Sequence, residues 1–211
     1  MTDEFWSIPR EWVGETCCII GGGPSFDPML APILPGRVIA INSSVKCRPN
    51  ADVLFWADPQ WALAHPREVA LHSGKYKITR RRPPPCAGDS VKLVGWVEPF
   101  PKGKGGVRRL SNSPKYVGGY CSGGNAINIA YLFGVATTLL LGFDMQRVDG
   151  KDYYDGRCEE GKKKIDNYSI YIKHIEALAE DLNRNNVQVY NCSKNSKLTC
   201  FEYKSIETFL R

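Results

Sequence analysis

Short apolar runs recur along the chain: Thr16-Cys17-Cys18-Ile19-Ile20, Arg37-Val38-Ile39-Ala40-Ile41, Val53-Leu54-Phe55-Trp56 and Thr137-Thr138-Leu139-Leu140-Leu141. Each is too short for a helix and continuous rather than alternating. That is the pattern of a strand buried on both faces, as in a parallel sheet covered by helices. Tyr76–Thr79, Val91–Val94 and Gln188-Val189-Tyr190 are shorter candidates of the same kind. Between the runs the period changes to that of a helix. Ala126, Ile127, Ile129, Ala130 and Leu132 predict a helix over Asn125 to Phe133, stopped by Gly134. Ile165, Tyr168, Ile172, Ile175, Leu178, Ala179 and Leu182 predict a long one from about Asp166 to Asn183. Residues 60–75 are helical in pattern but broken by Pro66, and Pro28, Pro32 and Pro35 leave room for only a short helix before Gly36. The alternation predicts an α/β protein, a single Rossmann-like domain over residues 1–211 with a mainly parallel central sheet.

The polar segments near 80–90, 99–120 and 146–164 read as loops or lids. Arg80-Arg81-Arg82 precedes three prolines, and Lys102-Gly103-Lys104-Gly105-Gly106 precedes Arg108-Arg109. Either run is a solvated loop or a basic rim that meets phosphate. Residues 1–15, with Trp6 and Trp12, read as an irregular packed arm.

Composition narrows the class. Hydrophobic residues are 43% of 211, enough for a sizeable core in one domain. No stretch of eighteen apolar residues predicts a membrane span, and the acidic start lacks a signal-peptide core, so a cytoplasmic protein is expected. The formal charge of +6 suits anionic partners. The eight cysteines include no Cys-x-x-Cys pair, which argues against a zinc site or a disulfide framework.

The candidate chemistry gathers where strands end and helices begin. Gly21-Gly22-Gly23-Pro24-Ser25 follows the first strand, with Ser25 as expected N-cap and Pro28 in the first turn. Glycines permit close backbone approach, and a helix start presents unpaired N–H groups, so the stretch is an anion site or else a tight turn alone. Phe26 interrupts the dinucleotide fingerprint, and no Gly-Lys-Ser/Thr completes a P-loop. Asn42-Ser43, Asp58, Ser122-Gly123-Gly124-Asn125 and Gly142-Phe143-Asp144 occupy equivalent positions. In a parallel sheet these ends share one edge. Asp58 and Asp144 are the catalytic candidates, as proton acceptor or as ligands of Mg²⁺, against the plainer reading of turn caps. Trp56 and Trp61 flank Asp58, and His174 reads as a solvated position off the apolar stripe.

These motifs resemble a group of bacteriophage and prophage proteins. The likeness lies in the glycine-Pro-Ser turn, Ala40-Ile41-Asn42, Ala51 to Asp58, Ser122 to Asn128, Leu141 to Met145, and Asn191-Cys192-Ser193 with Leu198 to Phe201. The group is similar to the DUF115 family, with its hydroxymethylpterin diphosphokinases and motility accessory factors, and more distantly to bacterial sialyltransferases that use a CMP-sugar. The resemblance implies nucleotide contacts at Gly22, Gly23, Ser25, Asn42, Ser122 and Gly123. With their neighbours Gly21, Ser43, Gly124 and Asn125 these form the expected nucleotide site. The expected function is a glycosyltransferase-like transferase with a nucleotide-sugar donor. The alternatives are a pterin-type diphosphokinase using ATP and Mg²⁺, and a non-catalytic nucleotide or nucleic-acid binding protein. The acceptor, DNA or a glycan, the metal and a homo-oligomeric state stay open.

Overall fold

A computed structural model of the chain describes residues 5–100, 105–156 and 167–210. Lys102–Lys104, Lys162–Lys164 and the expected helix start at Asp166 lie outside the described residues. Eight strands form one sheet in the order β10-β9-β8-β1-β2-β3-β4-β5, every neighbouring pair parallel. They are β1 (Thr16–Ile20), β2 (Arg37–Ile41), β3 (Val53–Trp56), β4 (Tyr76–Thr79), β5 (Lys92–Leu93), β8 (Thr137–Leu141), β9 (Gln188–Asn191) and β10 (Glu202–Tyr203). Two further short strands, β6 (Gly95–Trp96) and β7 (Tyr116–Val117), pair with each other. The chain runs outward from β1 to β5, then returns to the other side of β1 through α3 (Ser122–Phe133) and continues β8, α4 (Tyr168–Arg184), β9 and β10.

The continuous apolar strands are explained by burial on both sheet faces. Cys17, Ile19, Ile39, Phe55 and Leu140 point to one face, packed by Ile127 and Ile129 of α3 and by Ile175 and Leu178 of α4. Cys18, Ile20, Ala40, Leu54, Trp56 and Leu139 point to the other. There the cover is made of short pieces: α1 (Pro59–Ala64), α2 (Pro66–Leu71) and a 3-10 helix over Pro28–Ile33. The prolines set those lengths, since Pro66 starts α2 where the sequence pattern breaks. Gly134 ends α3 in the left-handed conformation, at φ 95°. The N-terminal arm is part of the core, because Trp12 stacks on Phe133 with centroids 3.8 Å apart.

Two sequence expectations are corrected. The N-cap of the Pro28–Ile33 helix is Asp27, which accepts from the Met29 N–H, and not Ser25. His174 is not solvated: it is 5% exposed, stacks on Tyr120, and its Nδ1 accepts the Arg108 N–H at 3.0 Å. That bond fixes Nδ1 as unprotonated, and burial first, then Arg108, holds the imidazole below its usual pKa. Within the segment 99–120, Arg109 makes a two-oxygen pairing with Asp181 of α4 and a bond to Glu180.

Candidate functional site

The order of strands reverses between β1 and β8, whose carboxyl ends lie side by side at the switch point of the sheet. This is where open α/β sheets form a crevice. The loop after β1 is Gly21–Ser25 and the loop after β8 is Gly142–Asp144, and they are laced together. The Gly21 N–H donates to the Leu141 carbonyl at 2.7 Å, and the Gly23 N–H to the Gly142 carbonyl at 2.9 Å. Gly142 has φ +67°. A Cβ on Gly23 would stand 2.0 Å from Asp144 Oδ2 and 2.6 Å from the Gly142 oxygen. Only glycine lets the two turns touch. Gly23→Ala therefore forces main chain apart, and we expect it to cost about 1–3 kcal/mol of unfolding free energy by denaturant titration.

Asp144 is the hub of this contact. It is 2% exposed; its Oδ2 accepts from the Ser25 N–H at 3.2 Å and the Ser25 hydroxyl at 3.0 Å. Its Oδ1 is buried without a hydrogen-bond partner among the described residues. Burial raises the carboxyl pKa and the Ser25 bonds only partly offset it. The turn is further braced from the 3-10 helix Asn42–Lys46 that follows β2, where the Ser44 hydroxyl donates to the Gly21 carbonyl at 2.8 Å. Asn42, directly after β2, sits at φ +52°, and its Oδ1 is another buried oxygen without a partner among the described residues.

Around this edge lies a cleft of about 1330 Å³. Of the sequence-derived candidates it is lined by Gly21, Gly22, Gly23, Asn42, Asp58, Ser122, Gly123 and Asp144. Asp58 is exposed at the end of β3 and caps α1 by accepting from the Gln60 N–H at 3.0 Å. The remaining candidates stand behind the wall. Ser25 holds Asp144, and the Ser43 hydroxyl accepts from the Trp61 indole at 3.1 Å. The Gly124 N–H meets the Cys121 sulfur, and the Asn125 amide donates to the Gly118 and Gly119 carbonyls. Trp56 is buried in the core. Among the described residues no three His, Cys, Asp or Glu side chains group as metal ligands.

The cleft also has walls that the motif pattern misses. Tyr153 lies over Gly22, its ring 3.1 Å from where a Cβ would be, and the Tyr154 N–H donates to the Gly22 carbonyl at 3.0 Å. The Tyr154 hydroxyl reaches the Ser43 carbonyl at 3.1 Å. The start of the expected loop at 146–164 is thus folded back over the glycine turn. The adjacent tyrosines in an otherwise charged stretch were the available signal. Tyr120, Tyr168 and Tyr171 line the far side with Trp96, Arg80 and Arg81.

Comparison with solved structures gives two similar folds. The sialyltransferase CstII of Campylobacter jejuni, in complex with the substrate analogue cytidine-5'-monophosphate, matches with TM-score 0.53 and 13% identity over 92% of this chain and 86% of that one. The MAf glycosyltransferase of Magnetospirillum magneticum AMB-1 matches with TM-score 0.63 and 16% identity over 99% of this chain. This chain spans only 37% of that protein. No family model and no curated protein sequence matches. At these identities the likeness is one of fold: the chain is a single α/β unit of the Rossmann-like kind found in these glycosyltransferases.

Proposed function

We propose that the protein is a glycosyltransferase that uses a nucleotide-sugar donor. The observation that carries this reading is the meeting of Gly21–Gly23 with Gly142–Asp144 at the crossover of the sheet, facing an aromatic-walled cleft. A glycine turn there admits a nucleotide against bare backbone. Two buried oxygens that lack donors among the described residues, Asn42 Oδ1 and Asp144 Oδ1, flank it. A buried acceptor without a partner costs about 1–3 kcal/mol, and the N–H and O–H groups of a nucleoside supply the missing donors. A CMP complex of a protein with this fold supports a cytidine monophosphate sugar as the donor class.

In this reading Ser25 and Asp144 Oδ2 hold the turn, while Gly22, Gly23, Asn42, Ser122, Gly123 and the second carboxylate oxygen of Asp144 meet the nucleotide. Asp58, exposed on the cleft at the end of β3, is the proposed base. It takes the acceptor hydroxyl proton as the oxygen bonds to the anomeric carbon and the bond from that carbon to the nucleotide phosphate breaks. Asp58 and Asp144 therefore divide the labour. A DNA or glycan hydroxyl would serve as acceptor.

The test is thermal unfolding with CMP, CDP, UDP, GDP and ATP, each with and without Mg²⁺. CMP is expected to raise the melting temperature of the wild type, since a ligand at about 100 times its Kd adds roughly 2.7 kcal/mol. Gly22→Val, which brings a side chain into the cleft against Tyr153, should remove that rise while the protein remains folded. No stabilisation by any nucleotide rejects the donor reading. A rise with ATP only in the presence of Mg²⁺ favours the diphosphokinase.

A further inference from the structure

On the side of the cleft away from the glycine turns, two arginines enclose one tryptophan. The Arg80 and Arg108 guanidinium carbons each lie 3.6 Å from the centre of the Trp96 ring. Two guanidinium groups cannot share one face at that distance, so they cover opposite faces. The indole edge is fixed as well, because its N–H donates to the Gly119 carbonyl at 2.7 Å. Stacking stabilises each cation, but it uses the flat face and leaves the N–H fork unused. Arg80 Nε and Nη1 and Arg108 Nε are buried with no hydrogen-bond partner among the described residues.

The chain's other half-buried arginines set their forks on acceptors: Arg48 donates through Nη1 to the Ala31 and Pro32 carbonyls, although its Nε is buried without a partner among the described residues. Arg37 is held by Glu15 and Asp52, and Arg109, next in sequence to Arg108, by Asp181 and Glu180. At the stack two like charges face each other through a ring, with Arg81 beside them. Burial, then Arg81 and Arg108, lowers the Arg80 pKa to about 10. Glu98 is the carboxylate whose charge acts on Arg108, without a hydrogen bond to it. Removing cations from water without a carboxylate hydrogen-bonded to them is costly, so the arrangement is that of a site awaiting an anion. Arg80 and Arg81 line the cleft with Trp96 and Tyr120, and Arg108 stands behind the indole.

The position argues for which anion. Arg80 follows β4, three strands from β1. Neighbouring strands are about 4.8 Å apart, so Arg80 leaves the sheet about 14 Å from the glycine turn. Asp58 stands at the end of β3, the strand adjoining β4. A nucleic-acid track would present a row of exposed cations to successive phosphates. Here Arg80 and Arg108 are recessed around an aromatic wall, with Tyr120 beside them and only Arg81 exposed.

We propose that Arg80, supported by Arg81 and Arg108 across Trp96, binds the phosphate or carboxylate of an anionic sugar acceptor. The name acceptor rests on the donor reading above; the anion site itself does not. The experiment is calorimetric titration of the protein, with saturating CMP, by glucose 6-phosphate, glucuronate and glucose. Wild type should bind at least one anionic sugar and not glucose; the first assigns a phosphate and the second a carboxylate. Arg80→Met keeps an apolar stem on the indole and removes the fork. It should lose at least tenfold in anionic-sugar affinity, keep CMP affinity within about twofold, and melt no lower than wild type. Arg80→Lys should recover part of the loss.

Several results overturn the proposal. If the anionic sugars compete with CMP, or Arg80→Met weakens CMP as much as the sugar, the stack belongs to the donor phosphate. Failure of both anionic sugars to bind, or salt-sensitive binding of a duplex oligonucleotide in their place, removes the sugar site. If Arg80→Met lowers the melting temperature sharply and Arg80→Lys binds no better, the stack is structural. If CMP does not bind wild type while an anionic sugar does, the donor reading fails and the anion site stands.

Discussion

Asp58→Asn is expected to lower turnover by about 10²–10⁴-fold while donor affinity stays within about twofold. The substitution is clean because of the second task that Asp58 performs. Its carboxylate caps α1 by accepting from the Gln60 N–H. Asparagine is an equally good N-cap, so the helix start survives and only the charge is lost. Asp58→Ala, by contrast, also loses the cap, at about 1 kcal/mol. The measurement is kcat and the donor KM for the two variants with one acceptor. A fall in kcat shared by both, with unfolding affected only in the alanine variant, assigns proton transfer to this carboxylate. If Asp58→Asn turns over like the wild type, Asp58 is a cap and nothing more.

The sheet was legible because burial on both faces leaves a one-dimensional trace. Cys17 to Ile20 are apolar at every step, and each alternate residue enters a different cluster. The convergence of the strand ends followed from parallel topology, and the structure places Gly22, Asn42, Asp58, Ser122 and Asp144 on one cleft. The rest was hidden for a physical reason: those contacts join residues far apart in the chain. Ser25 looks like a helix cap by its neighbours, yet it is drawn away by Asp144, 119 positions on. His174 falls off the apolar stripe of α4, yet Tyr120 and the Arg108 backbone cover it. Arg80, Trp96 and Arg108 come from three separate segments, and nothing in a basic run shows which arginine will stack and which will pair. Arg108 and Arg109 are adjacent and have opposite fates.

Asp144→Asn should move stability and ligand affinity in opposite directions. The amide oxygen can still accept from the Ser25 N–H and hydroxyl, so the turn keeps its brace. What disappears is a buried charge that desolvation disfavours. In the free protein the folded-state carboxyl pKa is raised above its unfolded value, so its contribution to stability is fully present below the ordinary carboxylate range. It is lost as pH rises through the folded value. The asparagine variant has no such loss. The two proteins should therefore unfold alike in acid, and the variant should become the more stable one as pH rises to neutrality. Nucleotide binding should respond the other way. The unpaired Oδ1 is an acceptor, and the amide nitrogen that replaces it is a donor. A nucleotide N–H or O–H aimed at this point meets a donor, and a lost hydrogen bond to a charged group is about 1.5–3 kcal/mol, or roughly 10- to 150-fold in Kd. Wild-type affinity for CMP should also fall more steeply on acidification than that of Asp144→Asn, because Asp144 takes up a proton in addition to the phosphate protonation that both proteins share. Melting curves and CMP titrations of both proteins from pH 4 to 8 read the two effects together. If the variant loses stability at neutral pH, or binds CMP as wild type does, Asp144 is a structural tie between the two turns and does not touch the nucleotide.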